Sequence, residues 1–291
     1  MTDRDRSADP ADDARLALLL EVAGTPKPGN VDRARDLPDL RFEQFLAGAV
    51  GAGSGLDRAA AGAPVGEAFE EAVAGMHARA GENTQFGCLL LLVPLVQAVA
   101  ETGEGALTPA AVEEVVAGTT VDDAVAFYRA FDRVNVAVGD PPPDAPALDV
   151  RRGAAAEPTL RERGLTLADV MELSAAPEEG VPDRNAQEWV EGFPRTFDAA
   201  DSLLSMDGPV GERTARVFVD LLAAEPDTLV ATNHGDAVAR EVSRRAMAVR
   251  GNLDAAAELA EELVAEGINP GTTADLTCAA LFIALRRGLS V

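Results

Sequence analysis

Apolar residues recur at three- and four-residue spacing through almost the whole chain, and no segment alternates apolar and polar side chains as a half-buried strand would. Before residue 139 the pattern runs through Ala14–Val22, Phe42–Val50, Gly66–Ala80, Thr84–Ala100, Pro109–Val116 and Val121–Val136. After residue 164 it resumes in Leu167–Ser174, Asn185–Met206, Gly211–Ala223, Ala231–Val249, Leu253–Glu266 and Thr272–Arg287. The spacing predicts an all-α fold, a single compact multi-helix bundle with its functional residues on loops at helix termini. Start signals agree: Pro109 follows Thr108 at a first helical position, and Thr120 precedes Asp122 and Asp123 in a first turn. Residues 1–11 read as a disordered acidic leader and 12–291 as the helical domain, with the Pro-rich stretch 139–164 as the one place for a seam.

Charge narrows the setting. The 291 residues carry a formal charge of −24, and Lys27 is the only lysine among 25 basic residues. Such a chain repels itself unless salt screens it, which points to the cytoplasm of a salt-accumulating halophile. An acidic surface argues against a nucleic-acid or anionic-membrane partner, since either needs a basic patch. The apolar run Cys88–Val96 is broken by Pro94 and too short to cross a bilayer, and the acidic N-terminus is unlike a signal peptide. Cys88 and Cys278 sit among small apolar residues and read as packing residues, not as a disulfide.

Four polar segments punctuated by Gly or Pro stand out. Thr25-Pro-Lys-Pro-Gly-Asn-Val-Asp32 cannot be regular helix, because two prolines fix φ two residues apart. In a chain that otherwise uses arginine, its Lys27 suggests a compact charge for phosphate. Gly81-Glu-Asn-Thr-Gln-Phe-Gly87 leads into the apolar run, so its helix start can offer free N–H groups to an anion. Thr232-Asn-His-Gly-Asp236 and Asn269-Pro-Gly-Thr-Thr-Ala-Asp275 each read as a helix start ending in a first-turn Asp. Asp236 and Asp275 could hold Mg²⁺ together with substrate phosphates, with Thr272 and Thr273 as further phosphate donors. Each feature also has an ordinary use: the loop can simply end a helix, Asn83 or Thr84 can be an N-cap, and a first-turn Asp suits the helix dipole. His77, inside an amphipathic helix, reads as a packing or surface residue, whereas His234 is a candidate for substrate binding.

The chain has no GxxxxGK[ST] loop, no GxGxxG after a strand, no GxSxG elbow and no HExxH helix. The four segments, in this order, resemble the triphosphoribosyl-dephospho-CoA synthase family. The likeness rests on Thr25–Asp32, on Asp39 ahead of Phe42 and Phe45, on Asn83-Thr84 with Gly87, and on Gly271–Leu276 ahead of Ala279 and Leu281. Bacterial members carry Gly-Ala-His before the aspartate matching Asp39, where this chain has Asp36-Leu37-Pro38; their Asn-Thr-His-Lys-Gly is here Asn83-Thr84-Gln85-Phe86-Gly87.

The resemblance implies an all-α enzyme that takes ATP and 3′-dephospho-CoA, releases adenine and joins the triphosphoribosyl group to a ribose 2′-hydroxyl, giving the precursor of an acyl-carrier prosthetic group. Cleaving an N-glycosidic bond passes through an oxocarbenium-like state, which needs negative charge near C1′ and a base for the attacking hydroxyl. On that footing Asp32 and Asp39 are the candidate catalytic residues. Lys27, Arg33, Asn83, Thr84, Gly87, Asn233, His234, Thr272 and Thr273 are candidates for binding substrate and phosphate, and Asp236 and Asp275 for Mg²⁺. A related ribosyl transferase with another acceptor, or a non-catalytic nucleotide-binding helical protein, are the alternatives.

Overall fold

The computed structural model describes residues 9–102, 107–141, 145–176 and 181–291. Its helices are α1 (Pro10–Ala23), α2 (Phe42–Gly51), α3 (Gly53–Ala60), α4 (Val65–Ala80), α5 (Phe86–Thr102), α6 (Pro109–Ala117), α7 (Val121–Ala130) and α8 (Glu157–Arg163). They continue with α9 (Leu167–Ala175), α10 (Arg184–Glu191), α11 (Pro194–Ser205), α12 (Val210–Ala224), α13 (Thr228–His234), α14 (Asp236–Val249), α15 (Leu253–Ala265) and α16 (Gly271–Arg286). Among the described residues the only β pairing is an isolated bridge between Asp32 and Arg35, and no helix is long and apolar enough to cross a membrane.

Two helices are apolar on every side and therefore belong in the middle. Residues Cys88–Val96 of α5 and Leu276–Leu285 of α16 are all buried, and the two helices pack against each other. α1, α11 and α12 close around α16, while α4 rests on α2, α3, α5 and α7. A smaller apolar cluster, from Phe218 to Ala274, joins α12 to α13, α14, α15 and the start of α16. The polar N-termini of α5, α10 and α16 are thereby drawn together at the edge of the core.

Pro94 lies inside α5 without ending it. Proline at that position cannot donate to the carbonyl of Leu90 four residues earlier. Trp189 of α10 supplies the missing donor: its Nε1–H bonds the Leu90 carbonyl at 3.2 Å. The repair also ties α10 to α5, next to the residues of chemical interest.

The helical reading holds for most segments, but Val121–Val136 stops at Ala130, and four further departures stand out. Asn185–Met206 is two helices, broken at Gly192 and Phe193, the latter with φ 63°; Glu188 Oε2 accepts the backbone and hydroxyl hydrogens of Thr196 at 3.0 and 2.8 Å and so caps the second. Ala231–Val249 is divided at Gly235. α3 was hidden by its glycines, which weaken a helical pattern on paper; a Cβ on Gly55 would lie 2.5 Å from the Ala68 carbonyl, so the glycine is what lets α3 approach α4. α8 was hidden by the prolines before it; the described part of 139–164 forms 3₁₀ turns and α8, packed on α7. Of the expected leader, residues 1–8 lie outside the described residues, whereas Pro10 and Ala11 already belong to α1, capped by Asp9.

Candidate active site

Lys27 is wholly buried. Its ammonium pairs with the carboxylate of Glu21, near the end of α1, and donates to Asn30 Oδ1 at 3.1 Å. Burial pushes the Glu21 carboxyl up, and the Lys27 charge opposes that shift. Asp32 is equally committed: Oδ2 accepts the Lys27 backbone N–H at 2.9 Å and Arg35 Nη1 at 2.9 Å, and Oδ1 accepts the Ala34 N–H at 2.8 Å. Lys27 is thus the counter-ion of a buried glutamate with no open face for a phosphate, and Asp32 holds its own loop in shape. Arg33 and Asp39 are exposed.

The same loop is pinned to the fourth segment. Asn30 Nδ2 donates to Asn269 Oδ1 at 2.8 Å, and a Cβ on Gly29 would collide with the Ile268 carbonyl and come 2.8 Å from Pro270 Cδ. Two segments more than two hundred residues apart therefore meet at the entrance to α16.

Asp275, in the first turns of α16, is the centre of the site. Asn185 Nδ2 donates to Asp275 Oδ2 at 2.9 Å, and the Cys88 thiol donates to Oδ1 at 3.3 Å. Gly87 permits this approach: a Cβ there would collide with Asp275 Oδ2 and come 2.7 Å from Asn185 Nδ2. Burial pushes the Asp275 carboxyl up to about 7, opposed by the hydrogen bonds from Asn185 and Cys88. The Cys88 thiol is itself pushed up by its bond with Cys278 and by burial; both cysteines are free and buried, as the sequence suggested. Three side-chain oxygens beside α5 and α10, Thr84 Oγ1, Gln85 Oε1 and Asn185 Oδ1, are buried with no partner. Asn83 acts as a cap, its Oδ1 accepting the Phe86 N–H at 3.2 Å.

Beside Asp275, Thr273 donates both its backbone N–H and its hydroxyl to Asp227 Oδ2, each at 2.7 Å. Thr272 Oγ1 accepts the Leu229 N–H at 3.3 Å. Asp227, pushed up by burial, caps α13 and the start of α16 together. These residues wall one side of a cavity of about 260 Å³, and Arg184, Arg195 and Glu225 wall another.

The third segment is placed otherwise than expected. Thr232, Asn233 and His234 form the C-terminal end of α13, not a helix start. A C-terminus presents carbonyls rather than N–H groups, so it offers an anion no donors. Asn233 and His234 are exposed. Asp236 does begin α14, but it is engaged with Arg240 at 3.1 Å. Among the described residues no group of three or more His, Cys, Asp or Glu is placed to hold a metal. Both oxygens of Asp275 already accept hydrogen bonds, so Asp236 and Asp275 do not make the hard, open oxygen set a resident Mg²⁺ requires.

Glu21, Arg184, Asn185, Arg195 and Asp227 were not legible as site residues. Four of them lie at the edge of or inside an ordinary helical pattern and Asp227 lies between two, and their shared signal is a wholly or partly buried polar group near a helix terminus, visible only once the fold is known.

A bundle with no sheet among its described residues that gathers a near-neutral carboxylate, an unsatisfied amide oxygen and a cavity at its helix starts is built as an enzyme rather than a scaffold. Residues 7–290 match the CitG family, ATP:dephospho-CoA triphosphoribosyl transferase, and the chain belongs to that family of transferases. It is similar to the crystal structure of a provisionally assigned triphosphoribosyl-dephospho-CoA synthase from Archaeoglobus fulgidus, at 29% identity and a TM-score of 0.69, over 84% of this chain and 100% of that one. A search of curated proteins found no match.

Proposed function

We propose that the chain transfers the triphosphoribosyl group of ATP to the 2′-hydroxyl of 3′-dephospho-CoA and releases adenine. Family membership supports the substrates, and the environment of Asp275 carries the chemistry. A carboxyl raised to about 7 by burial is matched to taking and returning a proton near neutrality. In this reading the C1′–N9 bond of ATP breaks while C1′ bonds the acceptor oxygen. The hydroxyl proton passes to Asp275 and from there to the departing adenine, which leaves as the neutral base, so the transfer is balanced and Asp275 ends ionised as it began. The ionised carboxylate also stabilises positive charge developing at C1′.

Asn185 holds Asp275 in position, and Gly87 keeps the approach to it clear. Asn83 and Thr84 contribute by shaping the start of α5, where Asn83 caps the helix and the Thr84 hydroxyl is buried beside Gly48 of α2. Mg²⁺ enters as part of the MgATP substrate. Asp32 and Lys27 act by fixing the loop against Asn269. The charge of −24 supports assays in molar KCl.

A change of acceptor has one observation in its favour. The Gln85-Phe86 pair that replaces His-Lys of the bacterial pattern points into the core, Phe86 packing edge-on against Phe69 at 5.0 Å and Phe131 at 4.9 Å. Incubation with ATP, Mg²⁺ and a panel of acceptors, read by mass spectrometry, separates the two: a triphosphoribosyl adduct on 3′-dephospho-CoA supports the first reading, and an adduct only on another hydroxyl compound supports the second.

A further inference from the structure

The cavity beside Asp275 contains two guanidinium groups that share one carboxylate oxygen. Arg195 Nε donates to Glu225 Oε2 at 2.8 Å, and Arg184 Nε stands 3.3 Å from the same oxygen without hydrogen-bond geometry. The two arginines are unequally satisfied. Burial opposes the charge on Arg195, but its bonds to Glu225, Glu191 and Glu188 outweigh that and hold it firmly charged. Arg184 has the Glu225 pair and one bond to Gln187 Oε1 at 2.6 Å, and burial works against its charge. Glu225 is the most exposed member of the trio, with 39% of its side chain exposed against 12% for Arg184 and 20% for Arg195. Thr272 and Thr273 close the opposite wall, so the cavity opens directly onto the start of α16.

We propose that this cavity seats the polyphosphate chain of the nucleotide, with Arg184 and Arg195 as its ligands and Glu225 as the anion it displaces. The inference rests on the transferase reading and deepens it. Guanidinium forks match phosphate oxygens in pairs, and Arg184 immediately precedes Asn185, the residue bonded to Asp275. A phosphate chain that exchanges with Glu225 keeps both arginines neutralised in the free and the bound protein, so neither state leaves a buried charge unpaired. It also explains how a chain whose only lysine is buried can hold a triphosphate, because no other pair of partly buried arginines lines this cavity.

The test is calorimetric titration of the full chain with inorganic triphosphate at fixed KCl. Arg184→Gln and Arg195→Gln should each weaken binding about tenfold or more, the loss of roughly one charge-assisted contact. Glu225→Gln should tighten it severalfold by removing the competing anion, a gain that damaged folding cannot imitate. Unchanged affinity in the folded arginine variants, or weaker binding in Glu225→Gln, overturns the subsite. Adenine release by the wild type, measured separately, keeps the two readings apart. Release with indifferent arginine variants overturns the subsite alone, whereas triphosphate binding that follows all three substitutions without any release overturns the transfer alone.

Discussion

Asn185 donates its side-chain N–H to Asp275 Oδ2 at 2.9 Å, joining the first turns of α10 and α16 across the glycine that opens α5. The amide keeps a carboxyl at the edge of the core oriented, while burial holds its ionisation close to neutrality.

That arrangement costs stability. Burial raises the Asp275 carboxyl from 3.8 to about 7, so the protonated folded form is favoured below the unfolded value. Relative stability is lost as pH rises from about 4 through about 7, where the folded group is also ionised. Asp275→Asn should therefore match the wild type near pH 4 and exceed it at pH 8 by up to about 4 kcal/mol, while losing activity. Urea denaturation of both proteins at the two pH values checks this; equal stability at pH 8 contradicts it.

Gly87→Ala places a methyl group against Asp275 and Asn185. The expected cost is about 1–3 kcal/mol from overpacking, with a loss of turnover larger than any change in melting temperature accounts for. Full activity in a folded Gly87→Ala protein would mean that the approach to Asp275 is not used.

Lys27→Met leaves Glu21 buried without its partner, and breaking such a pair typically costs about 3–5 kcal/mol. Adding Glu21→Gln to the same chain should restore most of that loss. Were Lys27 instead an open phosphate ligand, the single variant would stay stable and only its KM for ATP would rise; thermal melts beside steady-state kinetics distinguish the two.

The bond between Trp189 and Leu90 gives a double-mutant test. Trp189→Phe should cost more than the packing change alone, by roughly 1–2 kcal/mol for the stranded carbonyl. In a Pro94→Ala background the helix supplies its own donor to Leu90, and that excess should vanish. An identical cost in both backgrounds would remove the explanation for how α5 passes through Pro94.

The helices were legible because amphipathic or wholly apolar spacing is a local signal, and α2, α4, α6 and α9 begin and end within two residues of where their patterns do. Breaks inside long patterns, at Phe193 and Gly235, depend on capping by Glu188 and on a backbone turn, which periodicity does not register. At the site, the loop residues Gly29, Asn30, Asn83 and Gly87 announced themselves through turn chemistry. Glu21 and Asn185 did not, because a polar residue in a helical stretch looks solvent-exposed until its neighbours are known, and Asp227 did not, because a carboxylate in a short connection looks the same. Lys27 was noticed for a sound reason, its rarity, but one lysine can be retained as readily for a buried carboxylate as for a phosphate.

The most direct measurement is the fate of ATP with 3′-dephospho-CoA and Mg²⁺ in molar KCl, followed by chromatography of the nucleobase and nucleotide products, for wild type and Asp275→Asn. The account predicts free adenine in step with a triphosphoribosylated acceptor from the wild type, and neither from the folded variant. ADP and phosphate in place of adenine, or adenine release untouched by Asp275→Asn, would contradict it.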